Sequence, residues 1–323
     1  MGYSMCHTSG ANSGCVDIGS ILSTPTVAIV ILNWRKPEST LECLEAIAHL
    51  NYPAGLVQVI VVDNASQDRS AEIIREAFPG VMLVENSENL GYAGGNNVGI
   101  RTALAAGSDY TWILNNDVLV QPDALSSLVQ TAEVHPEAAF FGPLVKSRLD
   151  PEQIISAGGK LVTGWRAVLR GTGELDQGQY RRVEAVDFLS GCALLVRNQA
   201  LDNIGLLDER YFLYHEDVEW CSRAQAQGFG VAFVPNAVVW HPDTRSRDEH
   251  SAQVTYYITR NSLLFVRKYL GGWTLLKALT GYLRNLLSWT VKPRWKEKKH
   301  QRNALFWALM DFVRGKYGRR ATG

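Results

Sequence analysis

Three sets of polar side chains stand where apolar runs stop. Asn33 closes the run Thr26–Trp34, Asp63 and Asn64 follow Val57–Val62, and Asn115-Asn116-Asp117 follows Tyr110–Leu114. Each set alone is ordinary, because Asn and Asp cap helices and make turns. Three sets at successive strand ends of one sheet converge on one rim, where a ligand site is the stronger reading. The last set is the sharpest. A lone carboxylate at a strand end can hold Mg²⁺ or Mn²⁺ while phosphate oxygens and water complete the shell, and a metal held there stabilises a departing diphosphate. Asp117 is the natural ligand, and Asn115 is placed to meet ribose or phosphate.

A second group lies downstream. Glu216, Asp217 and Glu219 open the helix expected over Asp217–Gln227. Acids in a first turn complement the helix dipole, which is their plain explanation. A carboxylate there can also accept a proton from an attacking hydroxyl, and the helix start is expected to keep it ionised. His241 ends the stretch VVWHPD, either as a structural residue or as a metal ligand. Glycines at 91, 94, 95 and 99 either let backbone approach a ligand or make a tight helix entry.

The elements that must position these residues follow from periodicity. TVAIVILNW and VQVIVV read as strands buried on both faces, as in a parallel sheet. Helices are expected over Pro37–Leu50, over Ala71–Phe78 with Ser70 as cap, and from near Ala93 towards Ala106, with a strand at Val81–Val84. This alternation predicts an α/β fold with a mostly parallel, doubly wound sheet. Lys146–Arg182 is Gly-rich and reads as loop with a short hairpin. Ala185–Val196 reads as one strand, and Val231–Val234 and Ala237–Trp240 as two short ones around Pro235-Asn236. From about Val254 the chain reads as helical, amphipathic and basic. The division expected is a disordered leader over 1–25, a body over 26–250 split near 145, and a helical tail over 251–323.

Two nucleotide-site types are excluded. A dinucleotide loop needs G-x-G-x-x-G after strand one, where this chain has Asn33-Trp34-Arg35-Lys36-Pro37, and no Walker sequence occurs. The formal net charge is zero, yet residues 251–323 hold 15 Lys and Arg against only Glu297 and Asp311. Such a tail meets something anionic or presents a solvated charged face while packing on the body. Lys277 and Arg284 rim the apolar face over Leu270–Trp289, which fits an anionic membrane surface. No nucleic-acid-binding motif appears. Five scattered cysteines suit a reducing, cytoplasmic compartment, and no run of 18 apolar residues is present.

In order and spacing, these motifs resemble the family 2 inverting glycosyltransferases, especially their rhamnosyltransferase-like bacterial branch. The resemblance rests on Val62-Asp63-Asn64-Ala65-Ser66-Gln67-Asp68, on Asn89 to Asn97, on Asn115-Asn116-Asp117 and on Gly205 to Glu219, with YYITRN at 256–261 as a continuation. It implies a GT-A fold with a C-terminal helical extension and transfer of a sugar from a dTDP- or UDP-sugar to a glycan or lipid-linked glycan. Asp63 with Asn33 beside it would bind the base. Asn64, Gly91, Asn97, Asn115 and Asn116 would complete the donor site. Asp117 and His241 would hold Mg²⁺ or Mn²⁺, and Asp217 would be the general base with Glu216 in support. Rhamnose is the sugar implied first, and the setting is cell-surface polysaccharide synthesis, peripheral on the inner face of the membrane. The chain departs from the pattern in its Asn-Asn-Asp metal motif, in Glu219, where Asp is usual, and in Tyr211, which replaces one of two Phe. A non-catalytic nucleotide-sugar or glycan-binding protein and a sugar nucleotidyltransferase remain competing readings.

Overall fold

The structure is a computed structural model and describes residues 24–242 and 251–320. All but the last two residues of the expected leader therefore lie outside the described residues. Strand β1 (Val27–Asn33), helix α1 (Pro37–Ala48), β2 (Val57–Asp63), α2 (Ser70–Ala77), β3 (Met82–Glu85), α3 (Gly91–Ala105) and β4 (Tyr110–Asn115) alternate as expected. β1 lies between β2 and β4, parallel to both, so Asn33 is level with Asp63, and Leu32 with Asn115. Helix α3 packs closely on β1. A Cβ on Gly95 would stand 2.5 Å from Leu32 Cδ1, and one on Gly99 would stand 2.3 Å from Val30 Cγ1. These two glycines serve helix–sheet packing.

The sequence pattern does not single out the next elements, β5 (Leu119–Val120), α4 (Ala124–Val134) and β6 (Ala138–Ser147). Then come β7 (Ile154–Ser156), the β8 (Gly159–Val162)–β9 (Arg166–Leu169) hairpin, β10 (Glu184–Ala185), β11 (Ala193–Arg197), α5 (Leu201–Ile204), α6 (Glu216–Ala226) and β12 (Gly230–His241). The main sheet runs β10-β12-β6-β11-β4-β1-β2-β3. Its long strands are parallel except β11, which is antiparallel to both β4 and β6.

Four local expectations need correction. Ala185–Val196 is two strands, because β10 pairs with β12 at the sheet edge while β11 sits between β4 and β6. The two strands around Pro235-Asn236 are one, β12, whose register on β6 shifts between Val234 and Val238. An irregularity of this kind accommodates a proline that cannot donate to the ladder. Ser70 is the first residue of α2 rather than its cap; its N–H donates to Asp68 Oδ1 at 2.8 Å. Helix α3 begins at Gly91, two residues early, because Phe212 O accepts from the N–H groups of Tyr92 and Ala93.

Three helices end the chain, α7 (Ala252–Tyr269), α8 (Gly271–Val291) and α9 (Lys299–Val313). Helix α7 is not a free appendage: Tyr256, Tyr257 and the whole of Thr259–Val266 are buried. Helix α8 differs, since only Ala278 is buried in it. No helix among the described residues is long and apolar enough to cross a membrane.

Candidate active site

The three strand ends are tied into one network. Asn33 Nδ2 donates to Asp63 Oδ1 at 2.7 Å, and Asn33 Oδ1 accepts from Thr40 Oγ1 at 2.8 Å. Asn116 Nδ2 reaches the same Thr40 Oγ1 at 3.0 Å, so the end of β4 is fastened to β1 through α1. Asp63 also accepts from the Ser66 N–H and hydroxyl, at 3.0 and 2.5 Å. Both Ala65 and Gln67, on either side of Ser66, have left-handed backbone, with φ of 56° and 55°. Non-glycine residues held there concentrate at functional sites.

Several residues singled out for the donor have internal partners instead. Asn64 donates to Asn89 Oδ1 and Gly91 O, and accepts from Asn86 Nδ2 and the Leu90 N–H. Its amide is saturated in holding the 86–91 turn. Asn97 donates to Leu207 O and Glu209 Oε1 and accepts from the Leu207 N–H, which bolts α3 to the segment ahead of α6. A Cβ on Gly91 would stand 2.4 Å from Phe212 O, so this glycine admits the 212 loop rather than a phosphate. Asn33 and Asn116 likewise act through their neighbours. Asn115, Asp117, His241 and Asp217 are the candidates with part of the side chain open to a ligand, whereas Asp63 is buried with both carboxylate oxygens engaged.

At the end of β4, His241 Nε2 lies 3.1 Å from Asp117 Oδ1 and 3.2 Å from Asn115 Nδ2. Burial disfavours the Asp117 anion, but contact with His241 and the charges of His241 and Lys36 outweigh it and hold the carboxyl below its ordinary range. Asp117 Oδ1 is buried without a well-formed hydrogen bond. An ionised, under-satisfied oxygen beside an imidazole nitrogen suits a divalent cation. No cluster of three or more His, Cys, Asp or Glu able to hold a metal occurs among the described residues. The described residues would supply two ligands, Asp117 and His241, with diphosphate oxygens and water beside them, a usual arrangement for Mg²⁺.

Asp217 sits on the same rim. Its Oδ2 accepts from the Gly191 N–H at 3.0 Å, and its Oδ1 from the Val218 N–H at 2.8 Å. The next residue, Cys192, takes the Asn115 N–H on its carbonyl at 2.9 Å. One hydrogen-bonded step thus separates the anchor of Asp217 from the strand end that carries Asp117. Burial raises Asp217 above the ordinary range, although three backbone N–H groups, two of them at the helix start, pull it back part way. Glu216 is raised too, by burial and then by the charge of Asp217, and its Oε2 has no hydrogen-bond partner among the described residues. Glu219 points away from the rim, fully buried, where Lys268, Arg223 and Tyr269 surround its carboxylate. Its replacement of Asp therefore concerns the union of α6 with α7.

Sequence reasoning missed four residues here. Arg148, at the end of β6, points to Asp117 O at 3.5 Å and binds Glu42 at 2.9 Å. Trp34 is 48% exposed at the end of β1, with the Arg35 guanidinium stacked on it. Gly191 supplies the N–H that orients Asp217. Asn261, fully buried in α7, donates to the carbonyls of Tyr211, Leu213 and Tyr214 at 2.8, 2.8 and 2.7 Å. These carbonyls belong to a turn in which Phe212, Tyr214 and His215 all have positive φ, directly before Glu216. Such a turn holds only if its surroundings over-determine it. Asn261→Ala is expected to lower unfolding free energy by about 2–4 kcal/mol, since three buried carbonyls lose a donor. Urea unfolding measures this, and a loss under about 0.5 kcal/mol would remove Asn261 from the role.

The N-acetylglucosaminyl-diphospho-decaprenol L-rhamnosyltransferase of Mycobacterium tuberculosis is 28% identical over 268 residues, covering 76% of this chain and 82% of that protein. The dTDP-rhamnosyl transferase RfbF of Shigella flexneri is 26% identical over 226 residues, covering 65% of this chain and 71% of its own. Among solved structures, the mannosyltransferase PcManGT of Pyrobaculum calidifontis, in complex with GDP-Man and Mn²⁺, superposes with a TM-score of 0.59 at 16% identity, over 91% of this chain and 89% of that one. At that identity the likeness is one of fold, and the fold is the GT-A type. Residues 25–258 match the family described as Glycosyltransferase like family 2, and the chain belongs to that family of glycosyltransferases.

Proposed function

We propose that this glycosyltransferase moves rhamnose, with inversion, from a dTDP-sugar to a hydroxyl of a lipid-linked glycan in cell-surface polysaccharide synthesis. The observation that carries the reading is the link Asn115–Cys192–Gly191–Asp217, which joins the diphosphate end of the rim to the base. The named activities of the two relatives supply the sugar and the lipid diphosphate.

In this mechanism Asp63 receives the nucleobase, and Trp34 offers it an aromatic wall. Asp117 and His241 would hold Mg²⁺ or Mn²⁺, which when bound supplies positive charge to the diphosphate leaving group. Asp217 takes the acceptor hydroxyl proton on a carboxylate oxygen, and the acceptor oxygen closes on the anomeric carbon from the face opposite the diphosphate. Gly191 and Val218 orient that carboxylate. One base and one displacement invert the anomeric centre.

A panel of dTDP-, UDP- and GDP-sugars with Mn²⁺, read by nucleoside diphosphate release and by NMR of the new linkage, tests this. Release from dTDP-rhamnose with inversion is expected. Retention of configuration would remove the direct displacement, and acceptor-dependent release from no donor would leave a binding protein.

Helix α8 suits such an acceptor. Trp273, Leu276, Leu283, Leu287 and Val291 are 50–69% exposed on it, and Lys292, Arg294, Lys296, Lys298 and Lys299 follow. We read this as a surface that lies on anionic lipid at the inner face of the membrane. Removing everything after residue 250 would also remove Asn261, so point variants are the better test. Leu283→Glu with Leu287→Glu should lower flotation on anionic vesicles by about tenfold or more, since two apolar side chains leave the acyl boundary. Equal flotation of the variant and the wild type would return α8 to a packing role.

A further inference from the structure

A cavity of about 490 Å³ opens beside the strand ends. Trp34, Asn64 and Tyr92 line one side, and Tyr256, Arg319 and Arg320 the other. No acidic residue among the described residues lines it. Arg319 and Arg320 therefore bring two cations to this cavity, against Trp34 and Asn64 at the ends of β1 and β2.

They are held there firmly. The Arg320 N–H donates to Tyr257 Oη at 3.0 Å, and its guanidinium lies 4.6 Å above the Tyr256 ring. Two residues earlier, the Gly318 N–H donates to Arg210 O at 2.8 Å, and Gly318 O accepts from Arg260 Nη1 at 2.7 Å. Arg260 is only 1% exposed and has aromatic rings and carbonyls around it. A buried cation is thus committed to fixing the 318–320 segment. Neither Arg319 nor Arg320 has a carboxylate partner among the described residues.

We propose that Arg319 and Arg320 form a diphosphate-binding wall in this cavity beside the strand ends. Their planar forks match phosphate oxygens, and the aromatic floor beneath them keeps the charges partly dehydrated. Both substrates of the function proposed above carry a diphosphate, so the ligand is either the nucleoside diphosphate or the lipid diphosphate. The inference rests on that reading only for these two sources, because diphosphate binding is measured without turnover.

The test is calorimetry on the full chain and on its Arg319→Ala/Arg320→Ala variant with three probes: inorganic diphosphate without metal, dTDP with Mn²⁺, and farnesyl diphosphate. Affinity for inorganic diphosphate should fall about tenfold or more, as expected for lost charge-assisted bonds. A matching loss for dTDP, with thymidine binding unchanged, assigns the wall to the donor. A loss for farnesyl diphosphate alone assigns it to the acceptor. Affinities within about twofold for all three probes overturn the proposal. If the variant does not fold, phenylglyoxal labelling of the wild-type protein replaces it. Inorganic diphosphate should then protect Arg319 and Arg320, and unchanged labelling would sink the idea. Failure of sugar transfer with intact diphosphate binding would count against the proposed function and leave this wall standing.

Discussion

Asp217→Asn lowers turnover by about 10²–10⁴-fold, the range general-base catalysis supplies, while donor affinity stays within about twofold of wild type. The substitution keeps the side chain's shape and one oxygen for the Gly191 or Val218 N–H, and removes the capacity to take a proton. Donor binding is expected to persist because the proposed mechanism places the donor contacts away from Asp217, with the base at Asp63 and the metal at Asp117. A rate near wild type would end the base assignment. The pH profile gives a second view of the same group. Burial raises both Asp217 and Glu216, and the charge of Asp217 adds to the rise at Glu216. A base works when ionised, so activity is lost as pH falls through the folded-state pKa of Asp217. The acid limb of kcat is therefore expected above the ordinary Asp value of about 3.9. A limb at or below that value would mean that the groups measured lie elsewhere.

Asp117→Ala abolishes the Mn²⁺-dependent part of donor affinity. A diphosphate carries concentrated negative charge, and among the described residues the carboxylate paired with His241 Nε2 is Asp117. Loss of that carboxylate is expected to cost about tenfold to a hundredfold in metal affinity, the scale of second-shell losses at least. Calorimetric titration of dTDP with and without Mn²⁺ separates the contribution. Identical metal enhancement in the variant would move the cation site away from Asp117. His241→Ala should give a smaller loss of the same kind, since the carboxylate remains.

Much of the fold was legible because β-branched runs such as VAIVILN bury both faces in a parallel sheet, and polar residues mark where each run leaves the core. The rim was legible for the same reason. What was not legible depends on contacts between residues far apart in sequence. Gly191 reaches Asp217 across 26 positions, and Asn97 reaches Leu207 across 110. No local pattern distinguishes an Asn that binds a ligand from one that pins a loop, which is why Asn64 and Asn97 read as donor contacts. Glycine spacing is equally ambiguous: Gly95 and Gly99 face Leu32 and Val30, and only the position of β1 reveals it. The upward shift of Asp217 was not legible because the helix start is visible in sequence and the burial around it is not. The tail was read from its net charge, which hides the difference between buried α7 and exposed α8.

The most direct test is a crystal structure with Mn²⁺ and a non-transferable dTDP-sugar analogue. The account predicts metal on Asp117 and His241, and an anomeric carbon whose free face, opposite the diphosphate, turns towards Asp217. A donor bound with that face turned away from Asp217, or with its metal held elsewhere, would contradict it.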